Sequence, residues 1–330
     1  MQLSFIIPVY NRPLEIQELL DSFLLQDNKK DFEIIIVEDG SVKTAESIVE
    51  KYKNKLNVVY LKKKNSGPGD SRNYGMKKAK GDFFVLLDSD VILPKDYIKI
   101  LYNEISKLNI DAFGGIDDAH PSFTAIQKAI NYAMTSFLTT GGLRNKENNA
   151  NSFQLRSFNM GISKEVFLNT KGFSKQRYGE DIDLSNRIKK FGFTAKLIPH
   201  LKVHHKRRAN FEQFFKQTFN FGRARPILNK THKNTAKITY WFPTLFTFGL
   251  LFSLLFLLLG QPIPILFYLV YFLVIFADAY QKNKIFKVAL LSVYATVVQF
   301  VGYGVGFFRS WVRLYVQHKS VKETFPKMFS

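Results

Sequence analysis

The stretch Phe83 to Asp90, FFVLLDSD, constrains the fold more than any other part of the chain. Five apolar residues in a row, Phe83 to Leu87, sit between Gly81-Asp82 and an acidic run, which is the pattern of a strand buried on both faces. Such a strand belongs inside a sheet covered by helices. It delivers Asp88 and Asp90, two residues apart and on the same side of the chain, to the carboxyl edge of that sheet. Open α/β sheets bind ligands at this edge. Two carboxylates crowded there need a counter-charge, which a hard divalent cation bound to a phosphate supplies. From the strand context alone, a polarised turn explains the pair equally well.

The flanking sequence alternates strand-like and helix-like patterns. Leu3 to Val9 reads as a strand, and Leu14 to Leu25 repeats apolar residues at helical spacing. Phe32 to Val37 reads as a second strand, Thr44 to Tyr52 as a helix and Val58 to Leu61 as a third strand. A glycine-rich turn at Ser66 to Gly69 then leads into a helix over Ser71 to Ala79. This βαβα order predicts a sheet built from parallel strands with helices on both faces. Further on, short strands are expected at Asp111 to Gly115, Phe158 to Ser163 and Phe193 to Val203. Helices are expected at Ala125 to Leu138, Lys164 to Asn169 and Asp181 to Phe191, and a loop over Gly141 to Ser152.

Net charge narrows the partners less than its distribution does. The chain carries +20 and no cysteine, so disulfides and thiolate metal sites are excluded. Ten Lys or Arg and one acid, Glu212, lie between Lys202 and Lys237, directly before the most hydrophobic part of the sequence. That is juxtamembrane placement, suited to anionic lipid headgroups. No aromatic RNA-binding signature or helix-turn-helix pattern is present, so nucleic acid is not an expected partner. The N-terminus reads as a strand rather than a signal peptide.

Four strand ends carry groups that a nucleotide diphosphate would need. Pro8, Tyr10 and Asn11 could pack against a base and ribose, and Asp39 could accept from base or ribose donors. The turn NSGPGDSRN supplies Gly67 and a cation, Arg72, suited to a diphosphate. Asp88-Ser89-Asp90 is the fourth. Taken singly, each has an ordinary explanation as a turn, a cap or a surface charge.

Together, SFIIPVYNR, IIIVEDGS, NSGPGDSRNYG, FFVLLDSD, FNMGISKEVF and YGEDIDLSNRI resemble, in order and spacing, the family 2 glycosyltransferases over residues 1 to 225. The resemblance implies a GT-A fold, an α/β domain with a Rossmann-like mixed, mostly parallel sheet, followed here by C-terminal transmembrane helices. It implies that Asp39 meets the nucleobase, that Asp88 and Ser89 lie at the ribose or donor sugar, and that Asp90 binds Mn²⁺ or Mg²⁺ bridging the diphosphate of a nucleotide-sugar donor. It also implies that Glu180-Asp181 is the catalytic acid pair, with Asp181 as general base. An inverting transfer does need one carboxylate to take the acceptor's proton and cations to neutralise the leaving diphosphate. A helix start favoured by the dipole would account for the same two acids.

His204 and His205 follow the last strand, and one of the two could complete the metal shell with Asp90; the alternative is a phosphate-facing or lipid-facing patch with Lys206, Arg207 and Arg208. Gly114-Gly115, with Asp117 and Asp118, would line the sugar and acceptor side. Gln217, Asn220 and Arg223 stand where processive relatives carry Q-x-x-R-W, but Asn220 and Phe221 break that motif, which favours addition of a single sugar.

The sequence divides into a nucleotide-sugar domain over 1–225, a basic juxtamembrane linker over 226–240 and a membrane part over 241–330. Trp241 to Ala277, broken by Gly260-Gln261-Pro262, reads as a helical hairpin. Lysines flank it at 230, 233 and 237 and again at 282, 284 and 287, while its turn carries no charge. The positive-inside rule then puts the catalytic domain on the cytoplasmic side of the inner membrane. A third hydrophobic segment, 285–308, precedes a basic tail and is expected to be re-entrant or to lie in the interface, and Gly302, Gly304 and Gly306 suggest close helix packing or a bend. Phe211 to Arg225 is an aromatic amphipathic helix, either core-facing or interfacial. The expected activity is metal-dependent, inverting transfer from a nucleotide sugar, UDP-linked, to a lipid-linked or glycan acceptor at the membrane. A polyprenyl-phosphate sugar synthase and a silent nucleotide-sugar-binding scaffold are the alternatives.

Overall fold

The computed structural model describes residues 1–27, 31–141 and 154–325. The loop expected over 141–152 lies, beyond Gly141, outside the described residues, as does the end of the basic tail.

The chain opens with β1 (Leu3–Val9), buried along its whole length, and α1 (Pro13–Leu24). Pro13 suits the first helical turn because its missing N–H would have no partner there, and Ile16, Leu19, Leu20 and Phe23 form the inward stripe. There follow β2 (Phe32–Asp39), α2 (Glu46–Glu50), β3 (Val58–Lys63), α3 (Pro68–Lys78), β4 (Phe83–Leu87), the two-residue β5 (Val91–Ile92), α4 (Tyr97–Leu108) and β6 (Ala112–Asp118). Next come α5 (Ala125–Thr135), α6 (Phe137–Thr140), β7 (Asn159–Ser163), α7 (Lys164–Thr170), α8 (Glu180–Lys190) and β8 (Ala195–His205). The chain continues through four long helices: α9 (Phe211–Thr231), α10 (Phe242–Leu258), α11 (Ile263–Asn283) and α12 (Phe286–Trp311).

Contacts divide the described residues into two units, 1–120 with 154–205, and 121–141 with 206–325. In the first, eight strands form one mixed sheet in the order β3-β2-β1-β4-β7-β6-β8-β5. β3, β2, β1 and β4 run parallel, as the alternation predicts, so their carboxyl ends open on one edge. β7 is antiparallel to both β4 and β6, β8 is parallel to β6, and β5 is antiparallel to β8. Successive β1 side chains serve different cores, Phe5 and Ile7 packing with α1 and α4, and Ile6 with α3, α7 and α8. One buried polar side chain ties the middle of the sheet together. Asn159 Oδ1 accepts from Tyr97 Oη at 2.7 Å, and its Nδ2 donates to the Leu201 carbonyl at 2.9 Å, beside the irregularity between Gly114 and Ile116 of β6. A side chain at Gly115 would collide with that amide.

The second unit groups α5, α6 and α9 with the apolar helices. The contact boundary after His205 therefore differs from the sequence boundary at 225, because Phe214, Thr218 and Gly222 of α9 are buried and the helix packs along α12. The approach is close enough that a Cβ on Gly222 would stand 2.1 Å from the Tyr303 carbonyl oxygen, and Gly302 and Gly306 face Thr218 and Phe219 in the same way. The α12 glycines thus serve close packing, while Phe221, and Phe215 beside Gly302, keep part of their surface exposed. Among the described residues three stretches, Ile238–Leu258, Ile263–Asn283 and Phe286–Val316, are long and apolar enough to cross a membrane. A re-entrant third segment needs a chain reversal. The structure corrects that expectation, because Phe286–Trp311 is one unbroken α-helix.

Candidate active site

The antiparallel pairing of β5 with β8 sets Val91 opposite His205, and so brings the last residue of β8 beside Asp90. Asp88, Asp90 and His205 each offer a ligand atom within 4.8 Å of the others. His205 Nε2 is 3.3 Å from Asp90 Oδ1 and 3.9 Å from Asp88 Oδ2, while its Nδ1 faces Asp117 Oδ2 at 4.0 Å. Two carboxylates and an imidazole are the hard and intermediate donors that suit Mn²⁺ or Mg²⁺, so these residues fit a divalent cation. His204 does not join them. Adjacent strand residues point to opposite faces, and the His204 ring meets His120 edge-on at 5.0 Å. Burial, and then the His120 charge, push its pKa below the ordinary histidine value. Of the two candidate histidines, His205 is the one placed beside Asp88 and Asp90, and His204 is removed from the candidates.

Each acid of the pair also has a guanidinium. Arg12, at the start of α1, makes an ion pair with Asp90. Arg72 donates from Nη2 to Asp88 Oδ1 at 2.5 Å and reaches Glu180 Oε1 from Nη1 at 3.5 Å. Arg72 is only 2% exposed, and its guanidinium lies 5.3 Å from the centroid of the Phe173 ring. The sequence suggests an arginine facing a diphosphate. The structure instead gives its charge to two carboxylates, linking the β4 edge to the start of α8.

At that helix start Gly179 has φ 74°, a left-handed conformation that glycine accepts readily, and Glu180 and Asp181 form the first turn. Glu180 is buried; its surroundings, then the Asp181 charge, raise its pKa, against which Arg72 works. Asp181 is half-buried, with Arg156 Nη1 at 3.8 Å from its Oδ2. Asp183 points elsewhere and pairs with Arg187 at 2.7 Å, and Arg187 donates to the carbonyls of Thr170 and Gly172.

The remaining predicted residues form the neighbouring wall. Asp39 is buried and accepts from the backbone N–H of Ser66 and of Gly67, both at 2.9 Å, and from Lys63 Nζ at 2.8 Å. It therefore builds the turn before α3. Gly67, at φ 96°, turns the chain into that helix. Asn11 Oδ1 accepts from the backbone N–H of Val42 and of Lys43, fixing the loop after β1 to the loop after β2. Pro8 is buried within β1, so of this group Tyr10 and Asn11 are the exposed members, and Ser89 is buried between its acidic neighbours. Arg12 and Arg156 are not singled out by the sequence, whereas Asp117 is, on the sugar and acceptor side. For Arg12 a signal exists in its place directly after a strand that ends on the ligand edge.

The family model described as "Glycosyl transferase family 2" matches residues 4–168. Among curated proteins, the poly(ribitol-phosphate) beta-N-acetylglucosaminyltransferase TarS of Staphylococcus aureus is 38% identical over 135 residues, 40% of this chain and 22% of TarS. The minor teichoic acid biosynthesis protein GgaB of Bacillus subtilis is 28% identical over 209 residues, 61% of this chain and 23% of GgaB. The matched part of this chain thus spans under a quarter of the length of either relative. Of solved structures, the mannosyltransferase PcManGT from Pyrobaculum calidifontis in complex with GDP-Man and Mn²⁺ aligns with 96% of this chain and 88% of its own, at a TM-score of 0.56 and 16% identity. TarS 1-349 of S. aureus in complex with UDP-GlcNAc aligns with 97% and 93%, at a TM-score of 0.50 and 19% identity. At such identities the likeness is one of fold, the GT-A arrangement.

Proposed function

The chain belongs to glycosyl transferase family 2, and from that premise we propose that it is an inverting, metal-dependent hexosyltransferase that moves a sugar from a UDP-linked donor to a membrane-held acceptor in glycan or cell-surface polymer synthesis. The observation that carries the proposal is the grouping of Asp88, Asp90 and His205 beside an arginine that reaches Glu180, the neighbour of Asp181. Asp88, Asp90 and His205 would hold a divalent cation, with the imidazole nitrogen favouring Mn²⁺ over Mg²⁺. Such a cation would neutralise the donor's diphosphate as the glycosidic bond breaks. Tyr10, Asn11 and Asp39 lie on the wall that would receive the nucleoside, and Arg72 orients Asp88 from beneath. Asp181 accepts the proton of the acceptor hydroxyl, and the buried Glu180 fixes the helix start that carries it.

A UDP-linked donor is supported by the similarity to TarS, whose structure holds UDP-GlcNAc. A membrane-held acceptor is supported by the apolar stretches Ile238–Leu258 and Ile263–Asn283. The lysines before α10 and after α11, with none in the turn between, favour a catalytic unit on the cytoplasmic side of the inner membrane.

The test is transfer from radiolabelled UDP-sugars to a lipid extract by the purified full-length protein. EDTA should abolish it and Mn²⁺ restore it, and Asp181→Asn should lower turnover by about 10²-fold or more, the contribution of a positioned base. Transfer that survives EDTA removes the cation. An Asp181→Asn enzyme of undiminished rate removes the base and points to an acceptor that is already anionic, such as a lipid phosphate.

A further inference from the structure

Asp88 and Asp90 are each paired with a guanidinium, and the two guanidiniums differ in freedom. Arg72 is buried, bonded to Asp88, within reach of Glu180 and laid against Phe173, so it is fixed. Arg12 has a third of its side chain exposed, and Asp90 is its ion-pair partner. Its backbone is anchored all the same: Asn11, the residue before it, is held to the 41–43 loop by its own N–H and side chain, and Pro13 follows. A fixed backbone under a partly exposed side chain lets the guanidinium change partner without moving the fold. Burial works against the Arg12 charge, and the nearby Asp90 and Asp88 outweigh it.

A divalent cation held by Asp88, Asp90 and His205 competes with Arg12 for the same carboxylate of Asp90 and repels its charge. Arg72 cannot yield, so Arg12 must. A diphosphate on the cation would bring anionic oxygens to the edge where Arg12 stands, and offer it a new partner. We infer that Arg12 is an exchangeable counter-charge, which passes from Asp90 to the donor's diphosphate when the cation engages Asp90, and so makes cation and donor bind cooperatively. The inference rests on the proposed nucleotide-diphosphate donor. It adds a residue that sets the order and coupling of binding.

The experiment measures Mn²⁺ binding by the electron paramagnetic resonance signal of the free ion, on the full-length protein in detergent, with and without UDP. Arg12→Gln should bind Mn²⁺ about tenfold more tightly than the unaltered protein when UDP is absent. Its gain in Mn²⁺ affinity on adding UDP should shrink by a similar factor, since coupling between two ligands is reciprocal. Arg12→Lys keeps a competing charge and should stay near the unaltered protein. Mn²⁺ affinity of Arg12→Gln that is unchanged or weaker without UDP overturns the inference, and so does a UDP effect of undiminished size. Arg12→Lys behaving like Arg12→Gln also overturns it, because loop packing and not charge would then be responsible. Transfer from a UDP-sugar would stand in each of those cases. If Asp90→Asn binds Mn²⁺ as well as the unaltered protein, the cation site itself fails, and this inference with it.

Discussion

Arg72→Met keeps the length and apolar bulk of the side chain and removes its charge and donors, so it isolates what the buried guanidinium does for Asp88 and Glu180. The two acids are not equally exposed. Asp88 keeps 29% of its side chain exposed and can turn to water, whereas Glu180 keeps 11% and cannot. Removing one partner of a buried ion pair costs about 3–5 kcal/mol when the other must stay charged. Glu180 has an escape, because burial and Asp181 already raise its pKa and losing Arg72 raises it further. The cost should therefore sit near the lower bound, about 3 kcal/mol, at pH 9.5, above the value of about 8 to which burial and Asp181 raise Glu180 in the intact chain. A carboxyl whose pKa is raised in the folded chain contributes stability in full below its unfolded value, 4.5, and loses it as pH rises through the folded value. The deficit of Arg72→Met should thus shrink to about 1 kcal/mol at pH 5.5, where Glu180 is protonated with or without Arg72. For a chain of 330 residues that amounts to a melting temperature lower by about 4 °C at pH 9.5 and by about 1–2 °C at pH 5.5. Both tryptophans, Trp241 and Trp311, lie in the helical unit, so the melt should be followed by far-ultraviolet circular dichroism rather than by tryptophan fluorescence. Adding Glu180→Gln to Arg72→Met should recover most of the loss at pH 9.5. Equal deficits at the two pH values, or no recovery in the double variant, would refute the reasoning.

The two histidines at the end of β8 should separate cleanly: His205→Ala should weaken Mn²⁺ binding by about 10²-fold, whereas His204→Ala should leave it within about twofold, as read by free Mn²⁺ resonance; equal losses would contradict the strand alternation. The α12 helix should lie along the membrane face and not cross it. It packs on the start of α10, through Phe246 against Phe300 and Pro243 against Gly304, and on the end of α11, through Ile275 and Ala279 against Ala289. Half of its apolar window is buried, against 22% and 11% for the hairpin helices. A single cysteine placed at Lys319 of this cysteine-free chain should react with an impermeant maleimide in inverted vesicles and not in intact cells; labelling from outside would make α12 a third span.

What was legible in the sequence followed from local pattern. The β1 to β4 alternation, the acidic end of β4 and the start of α8 are each written within about a dozen residues, and the structure has them near the expected bounds. The pairing of β5 with β8 is not, because two residues carry no periodicity and their partner lies more than a hundred positions away. That pairing is what selects His205 over His204, so the choice between adjacent histidines stayed open until the register was known. The partner of Arg12 is a tertiary fact of the same kind. Arg72 is the instructive case, because a signal for its burial was present. Gly69, Arg72 and Gly75 stand three apart on α3 and share one face of a helix. Gly75 lets α3 approach the sheet so closely that a Cβ there would meet Ile6 Cγ2 at 2.6 Å, and Gly69 sits against Phe173 and Ser174. An arginine between two glycines that face the interior is drawn inside with them, where only carboxylates can repay its lost hydration. Read by residue type, Arg72 is a surface cation reaching for a phosphate. Read by helical face, it is a buried strut that needs two acids, and Asp88 and Glu180 are those acids.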